Sequence, residues 1–310
     1  MSENWERQVV EKTLLAAVVE QRRTRRWNIF FRLTWLVVIA LVLWPLFASM
    51  SGDSTEALPG AGTRTAVLQL SGTIDGNNDT ANRMIDGLKA AYKDSGTRGI
   101  IIRANSPGGS PVLSGMVYDE IMRQKKLHPK IPLYVVVEDV CASGCYYIAA
   151  AADKIFVDKA SIVGSIGVLS DGFGFTGLMD KLGVERRLAH AGRDKGMGDP
   201  FSPETPEQRA IRQGLLDAIH TQFITAVKRG RGARLKGDEL FTGRVWIGEQ
   251  AIPLGLVDGY GSVNSVARDV IHAEDTVDMT PKDGLSDRIA KRFGVGVSAG
   301  LRDLIEARWL

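Results

Sequence analysis

Four histidines and two cysteines among 310 residues leave little room for several kinds of chemistry. A Ser-His-Asp triad has to recruit one of the four, and the candidates are poor. His128 precedes a proline, His220 lies beside the apolar stripe of a packing helix, His272 is near the C-terminal tail, and His190 is the one nearest a glycine-rich loop. Two cysteines do not make a zinc site, so no metal is expected, and no cofactor either. Cys141 and Cys145 remain open between a disulfide, a metal pair and two small buried residues, the last being the reading adopted. A net charge of +3 singles out no partner, and nucleic acid is not expected, because much of the basic excess sits near the start in Arg22, Arg23, Arg25, Arg26 and Arg32. Internal repeats and low-complexity blocks are also missing.

What is present begins with one long uncharged run. Leu33 to Gly52 (LTWLVVIALVLWPLFASMSG) contains no charged residue, and about 20 helical residues at 1.5 Å each match the hydrocarbon core of a bilayer. The reading is a single transmembrane helix with its arginine-rich side cytoplasmic and everything after Asp53 on the far, periplasmic side of the inner membrane. A cleaved signal peptide is the alternative; the segment before the run is long for one, and Ala48 and Met50 make a poor cleavage pair. The expected organisation is therefore a basic cytoplasmic segment over 1–32, an anchor over 33–52, a small and polar linker over 53–63, a globular domain over 64–270 and a tail over 271–310.

Within the globular part, strands and helices alternate, which implies α/β layers. Thr65–Leu70, Gly99–Ala104 and Ile131–Val137 read as strands. Ala81, Met84, Ile85, Leu88 and Ala91 read as a helix behind Asp79 or Asn78 as cap, and Leu113, Val117 and Ile121 as a second. Thr205-Pro206-Glu207-Gln208 is a capping box opening a helix to Lys228, with Ile211, Leu215, Ile219, Phe223 and Val227 as its packing stripe. The last forty residues suggest nothing firmer than a short helix and a mobile tail.

Three stretches carry chemistry. In VCASGCYYIAAAADKI, Val140 to Ile155, Ser143 sits at a strand-to-helix corner, either as an ordinary N-cap or as a hydroxyl projecting where unpaired N–H groups favour an anion. In NSPGG, Asn105 to Gly109, a turn follows a buried strand, and two glycines leave backbone N–H groups uncovered by side chains. In AGRDKGMGDPF, Ala191 to Phe201, Lys195 stands in a glycine-rich loop. A serine hydroxyl needs a base within about 3 Å, and a lysine serves only if its pKa falls from about 10.4 towards 7–8 through burial among apolar and neutral groups.

In order and spacing, NSPGG, ASG-x-YYIA-x-AADKI, GSIGV and G-x-x-K-x-x-x-x-P resemble the signal peptide peptidase A family of serine-lysine proteases, in its short, single-repeat, membrane-anchored bacterial form. The resemblance spans about Thr65 to Gly261. It implies a ClpP/crotonase-like spiral of β-β-α units, with Ser143 as nucleophile, Lys195 as general base and Ser165 orienting the lysine amine. It also implies an oxyanion hole made by the N–H groups of Gly109 and of Ser143 itself. Signal peptides at the membrane become the expected substrates, and a homo-oligomeric ring the expected assembly, with lysine and serine supplied by different subunits. Cys145 departs from the family's usual glycine, and Cys141 from its small residue. Two other readings fit less well: a crotonase-like acyl-CoA enzyme, which gives Ser143 and Lys195 no joint role, and a non-catalytic membrane scaffold.

Overall fold

The computed structural model describes residues 25–40, 62–76, 79–237 and 239–281, divided between two units, Met1–Gly62 and Thr63–Leu310. In the first unit residues 25–40 form helix α1, whose Trp27, Phe30 and Phe31 rings pack on one another while staying exposed. Among the described residues, no helix is long and apolar enough to cross a membrane. Of the anchor expected over 33–52, residues 33–40 belong to α1, and 41–52 lie outside the described residues.

The second unit is a mixed α/β fold on a parallel sheet. Its elements run β1 (Arg64–Ser71), α2 (Thr80–Lys93), β2 (Thr97–Ser106), α3 (Pro111–Leu127), β3 (Leu133–Ala142), α4 (Gly144–Ala149), β4 (Lys154–Val157) and β5 (Ile162–Gly164). They continue through α5 (Thr176–Leu182), α6 (Pro206–Arg231), β6 (Val245–Ile247), α7 (Gly248–Ala251), β7 (Gly259–Tyr260), α8 (Val263–Ser265) and β8 (Thr276–Asp278). The main sheet order is β6-β5-β3-β2-β1-β8, parallel except where β5 meets β6. Successive residues of a strand face opposite sides, so Ile100 and Ile102 of β2 enter the main core against α2 and α3. Ile101 enters a smaller core on the other face with Val136, Phe156 and Val266. Coverage on both faces accounts for the near-continuous apolar run of the strand.

β3 positions the site. One of its edges pairs with β2, at Leu133–Val137 and, after a register shift, at Cys141, and the other is divided: Tyr134–Val136 pair with β4, whereas Val140–Ala142 pair with β5. The end of β3 is therefore held on both sides just where the chain turns into α4.

Four expectations change here. Thr276–Asp278, placed by the sequence in the tail, pairs in parallel with Thr65–Val67 of β1 and extends the sheet. Asp79 occupies the N-cap of α2, yet its carboxylate does not cap the helix and instead accepts from Asn82 Nδ2 at 2.7 Å. The capping box of α6 is present in both directions, but its apolar stripe is buried only in the C-terminal half: Phe223 and Val227 enter the core, whereas Leu215 is 54% exposed. Finally, Cys141 and Cys145 are both fully buried, as expected of small core residues, but their Sγ atoms are bonded to each other as a disulfide.

Candidate active site

Ser143 occupies the corner between β3 and α4 with φ 52° and ψ −123°, a backbone conformation rarely adopted by L-residues. Its side chain makes no capping bond to α4, so the ordinary N-cap role does not apply, and the hydroxyl is left without a hydrogen-bond partner among the described residues. Among the described residues four non-glycines have positive φ: Asp79, Ser143, Ser165 and His272. Two of the four are the serines singled out from sequence. Such conformations cost of order 1–3 kcal/mol each and persist only where the surroundings enforce them.

The enforcing contacts are visible. The Ser143 N–H donates to Gly164 O at 2.8 Å, continuing the β3–β5 pairing through the corner. That bond corrects the expectation that this N–H serves an oxyanion, because its proton is already directed into the sheet. The N–H that follows, on Gly144, has no acceptor among the described residues, and neither has that of Gly109. The two turns meet at this point: a Cβ built on Gly144 would lie 3.1 Å from Gly109 N.

The NSPGG turn is shaped to meet this corner. The Gly108 N–H donates to Ser106 Oγ at 3.1 Å, Gly108 O accepts from the Ile74 N–H at 2.8 Å, and the Ser110 N–H donates to Ile74 O at 2.8 Å. Bonds on either side thus fix the turn while leaving the Gly109 N–H pointing free. Gly108 has φ 99°, and a Cβ there would stand 2.6 Å from Ala142 O and 2.8 Å from Ser143 Cβ, so only a glycine lets the two turns touch.

A cavity of about 560 Å³ opens beside these groups, within the ordinary range of ligand sites. Gly109, Ser143, Gly144 and Ser165 line it together with apolar groups from Pro111, Val168, Leu169, Ile219 and Phe223. Tyr147 completes the wall, stacked on Phe223 at 4.9 Å between ring centroids and met edge-on by Tyr118. Burial, with the nearby Asp119 charge, pushes the Tyr147 phenol up from its ordinary pKa, so the ring stays neutral at the cavity. His220 of α6 reaches the same cavity and places Nε2 3.0 Å from Ile166 O, tying α6 to the turn that carries Ser165. Sequence reading missed Gly144, Tyr147, Phe223 and His220 as site residues. Tyr147 and Phe223 were visible in the YYIA motif and the α6 stripe, but as packing residues.

Lys195 does not line this cavity. It is exposed in the turn whose backbone closes through Lys195 N–H to Gly192 O at 3.1 Å. Its charged neighbours answer each other: Arg193 pairs with Asp194 at 3.5 Å and with Glu207 at 2.9 Å, and Lys195 itself is in no ion pair among the described residues. The described chain therefore brings together Ser143, Gly109 and Ser165, and leaves Lys195 apart from them.

An uncapped serine hydroxyl, two N–H groups without acceptors among the described residues and an apolar cleft on a parallel α/β sheet are the parts that acyl-transfer hydrolases use. Residues 125–276 match Peptidase family S49. A stretch of 227 residues is 32% identical to the putative protease MJ0651 of Methanocaldococcus jannaschii, covering 70% of this chain and 72% of that protein. The chain belongs to peptidase family S49, a family of serine proteases. It is 34% identical over 197 residues to the putative signal peptide peptidase SppA of Enterococcus faecium, covering 63% of this chain and 54% of the relative. It is 43% identical over 216 residues to a protein of Brucella abortus (strain 2308) named Na(+)/H(+) antiporter NhaA, but covers only 29% of that longer protein and 69% of itself. Among solved structures, a mutant 1510-N membrane-bound stomatin-specific protease in complex with a substrate peptide aligns with TM-score 0.40 and 16% identity, over 67% of this chain and 80% of the other.

Proposed function

We propose that the protein is a membrane-anchored serine endopeptidase that hydrolyses apolar peptides, with cleaved signal peptides as its substrates. The observation that carries this reading is the uncapped Ser143 hydroxyl beside the unpartnered N–H groups of Gly109 and Gly144, at a cavity walled by Tyr147, Phe223 and Ile219. An apolar side chain of the substrate occupies that cavity. Ser143 Oγ attacks the carbonyl carbon, its proton passes to the Lys195 amine, and the carbonyl oxygen takes on negative charge opposite the two N–H donors, each worth about 3–4 kcal/mol. Collapse expels the leaving amine, which takes the proton from Lys195. Water activated by the same lysine then releases the acyl group from Ser143, while Ser165, on its strained turn, orients the lysine amine.

Because Lys195 stands apart from Ser143 within one chain, the reading includes a head-to-tail ring in which a neighbour brings its lysine to the serine. The neighbour also provides the dry surroundings that a lysine base requires. We further infer a ClpP/crotonase-like spiral, supported by the divided edge of β3, and a catalytic domain across the inner membrane. The buried disulfide suits an oxidising compartment, and Arg25, Arg26 and Arg32 suit a cytoplasmic flank.

The test is covalent labelling by a fluorophosphonate probe combined with turnover of a quenched-fluorescent apolar peptide. Ser143→Ala is expected to fold and to lose both by several orders of magnitude. Lys195→Arg keeps the charge without supplying a free base, and should be as inactive as Lys195→Ala. Wild-type activity in Ser143→Ala overturns the nucleophile, and activity in Lys195→Arg overturns the base.

A further inference from the structure

The disulfide spans the corner that Ser143 occupies. Cys141 is two residues before the serine at the end of β3, and Cys145 two residues after it in the first turn of α4, with Cα atoms 5.1 Å apart, a span a disulfide bridges readily. We propose that this bond is a positioning device for catalysis, holding Ser143 and the Gly144 N–H in register with Gly109. The inference rests on reading Ser143 as the nucleophile.

Three observations lead to it. First, α4 is held by its side chains, with the buried Tyr146 hydroxyl donating to Leu256 O at 2.7 Å and Tyr147 stacked on Phe223, and not by its own helical structure. α4 is six residues long and lacks a side-chain cap, too short a helix to be stable on its own. Second, the strand side is rigid, since Cys141 is in register with Ser106 on one neighbouring strand and Val163 on the other. A covalent tie from that fixed point to Cys145 transmits the rigidity of the sheet into the first turn of α4, across a serine whose φ of 52° would otherwise relax towards commoner values. Third, the ring closed by the bond is very short, with a sequence separation of 4, and the stabilisation a disulfide gives through the unfolded chain grows with loop length. A bond in this position contributes least to global stability and most to local geometry. Both sulfurs are fully buried and the chain has two cysteines in all, which suits a permanent clamp rather than a pair that exchanges thiols.

The test compares the full-length wild type with Cys141→Ala/Cys145→Ala, both in detergent. The measurements are the rate of fluorophosphonate labelling, kcat and KM on a quenched-fluorescent apolar peptide, and the melting temperature. The expected result is a folded double variant whose labelling rate and kcat fall at least tenfold while KM stays within twofold, because the apolar wall given by Pro111, Ile219 and Phe223 belongs to α3 and α6 and is untouched. Wild-type labelling and kcat in a folded double variant overturn the proposal. Should the alanine pair not fold, Cys141→Ser/Cys145→Ser replaces it under the same criteria; failure of both to fold makes the bond a folding requirement and likewise overturns the positioning role. Ser143→Ala is run in parallel. If that variant still labels and turns over, the nucleophile assignment has failed; if it is dead while the cysteine variant is fully active, only the clamp has.

Discussion

A methyl group on Gly144 would collide with Ser114 Oγ, a buried hydroxyl of α3 that donates to Ser110 O at 2.8 Å. The corner after Ser143 is therefore packed against α3 at the residue whose N–H the proposed mechanism uses as an oxyanion donor. Gly144→Ala is expected to leave KM nearly unchanged and lower kcat by about 10²–10³-fold, the effect of misplacing one such donor. Steady-state kinetics with circular dichroism as a folding check decide it, and a kcat within tenfold of wild type would place the second donor elsewhere. The contrast between Ser143 and Gly144 shows how far the sequence alone reached. A hydroxyl at a strand-to-helix corner is a local property, legible in ASGCYY. Which of two successive N–H groups is free depends on Gly164, twenty-one residues away, pairing with the end of β3, and no local pattern records that. The disulfide is hidden for the same reason, because spacing of four fits a helical turn as well as a bridge across a corner.

At the level of elements, the C-terminal end of α6 is locked to the rest of the unit by Arg231, whose side chain is fully buried and donates to Asp258 Oδ2 at 2.7 Å and to Gly255 O at 3.1 Å. Asp258 also accepts from the Ile155 N–H at 2.7 Å, which joins α6 to β4 through one carboxylate. Burial alone would raise the Asp258 pKa, but the hydrogen bond and charge of Arg231, followed by the Ile155 N–H and Arg234, hold it below the ordinary 3.8. A carboxyl depressed on folding adds stability that is complete above the unfolded value and is lost as the pH falls through the folded one. Thermal melts should thus show a steep loss of stability on acidification below about pH 4 in the wild type. Asp258→Asn should be about 3 kcal/mol less stable at pH 7, near the low end for a broken buried pair because the amide keeps part of the bonding, with a shallower acid limb. Equal slopes in the two proteins would remove Asp258 from the account. Elements of this kind were legible where a run was long. β1, β2, β3 and the capping box of α6 follow from apolar and capping patterns, whereas the three residues of β8 carry too little pattern to be separated from a tail. The stripe on α6 gave its apolar face correctly; whether the body of the domain covers that face is a tertiary matter, and at Leu215 it does not.

For the whole molecule, the separation of Lys195 from the Ser143 cavity yields the most specific expectation. In a ring assembled at random from equal amounts of Ser143→Ala and Lys195→Ala subunits, a shared site works only where an intact serine meets an intact lysine from its neighbour, so about a quarter of wild-type activity should return. Cross-linking establishes that the rings are mixed, and peptide turnover gives the yield. Absence of recovery in demonstrably mixed rings would assign both residues to one chain. On the shared-site reading, the separation also means that a newly made subunit is harmless by construction. It carries a serine with no base and a lysine with no serine, and gains the power to cut only by meeting copies of itself. On the same reading such a chain would need no separate inhibitor to keep it silent during synthesis, and its latency would end at a threshold set by its own local concentration.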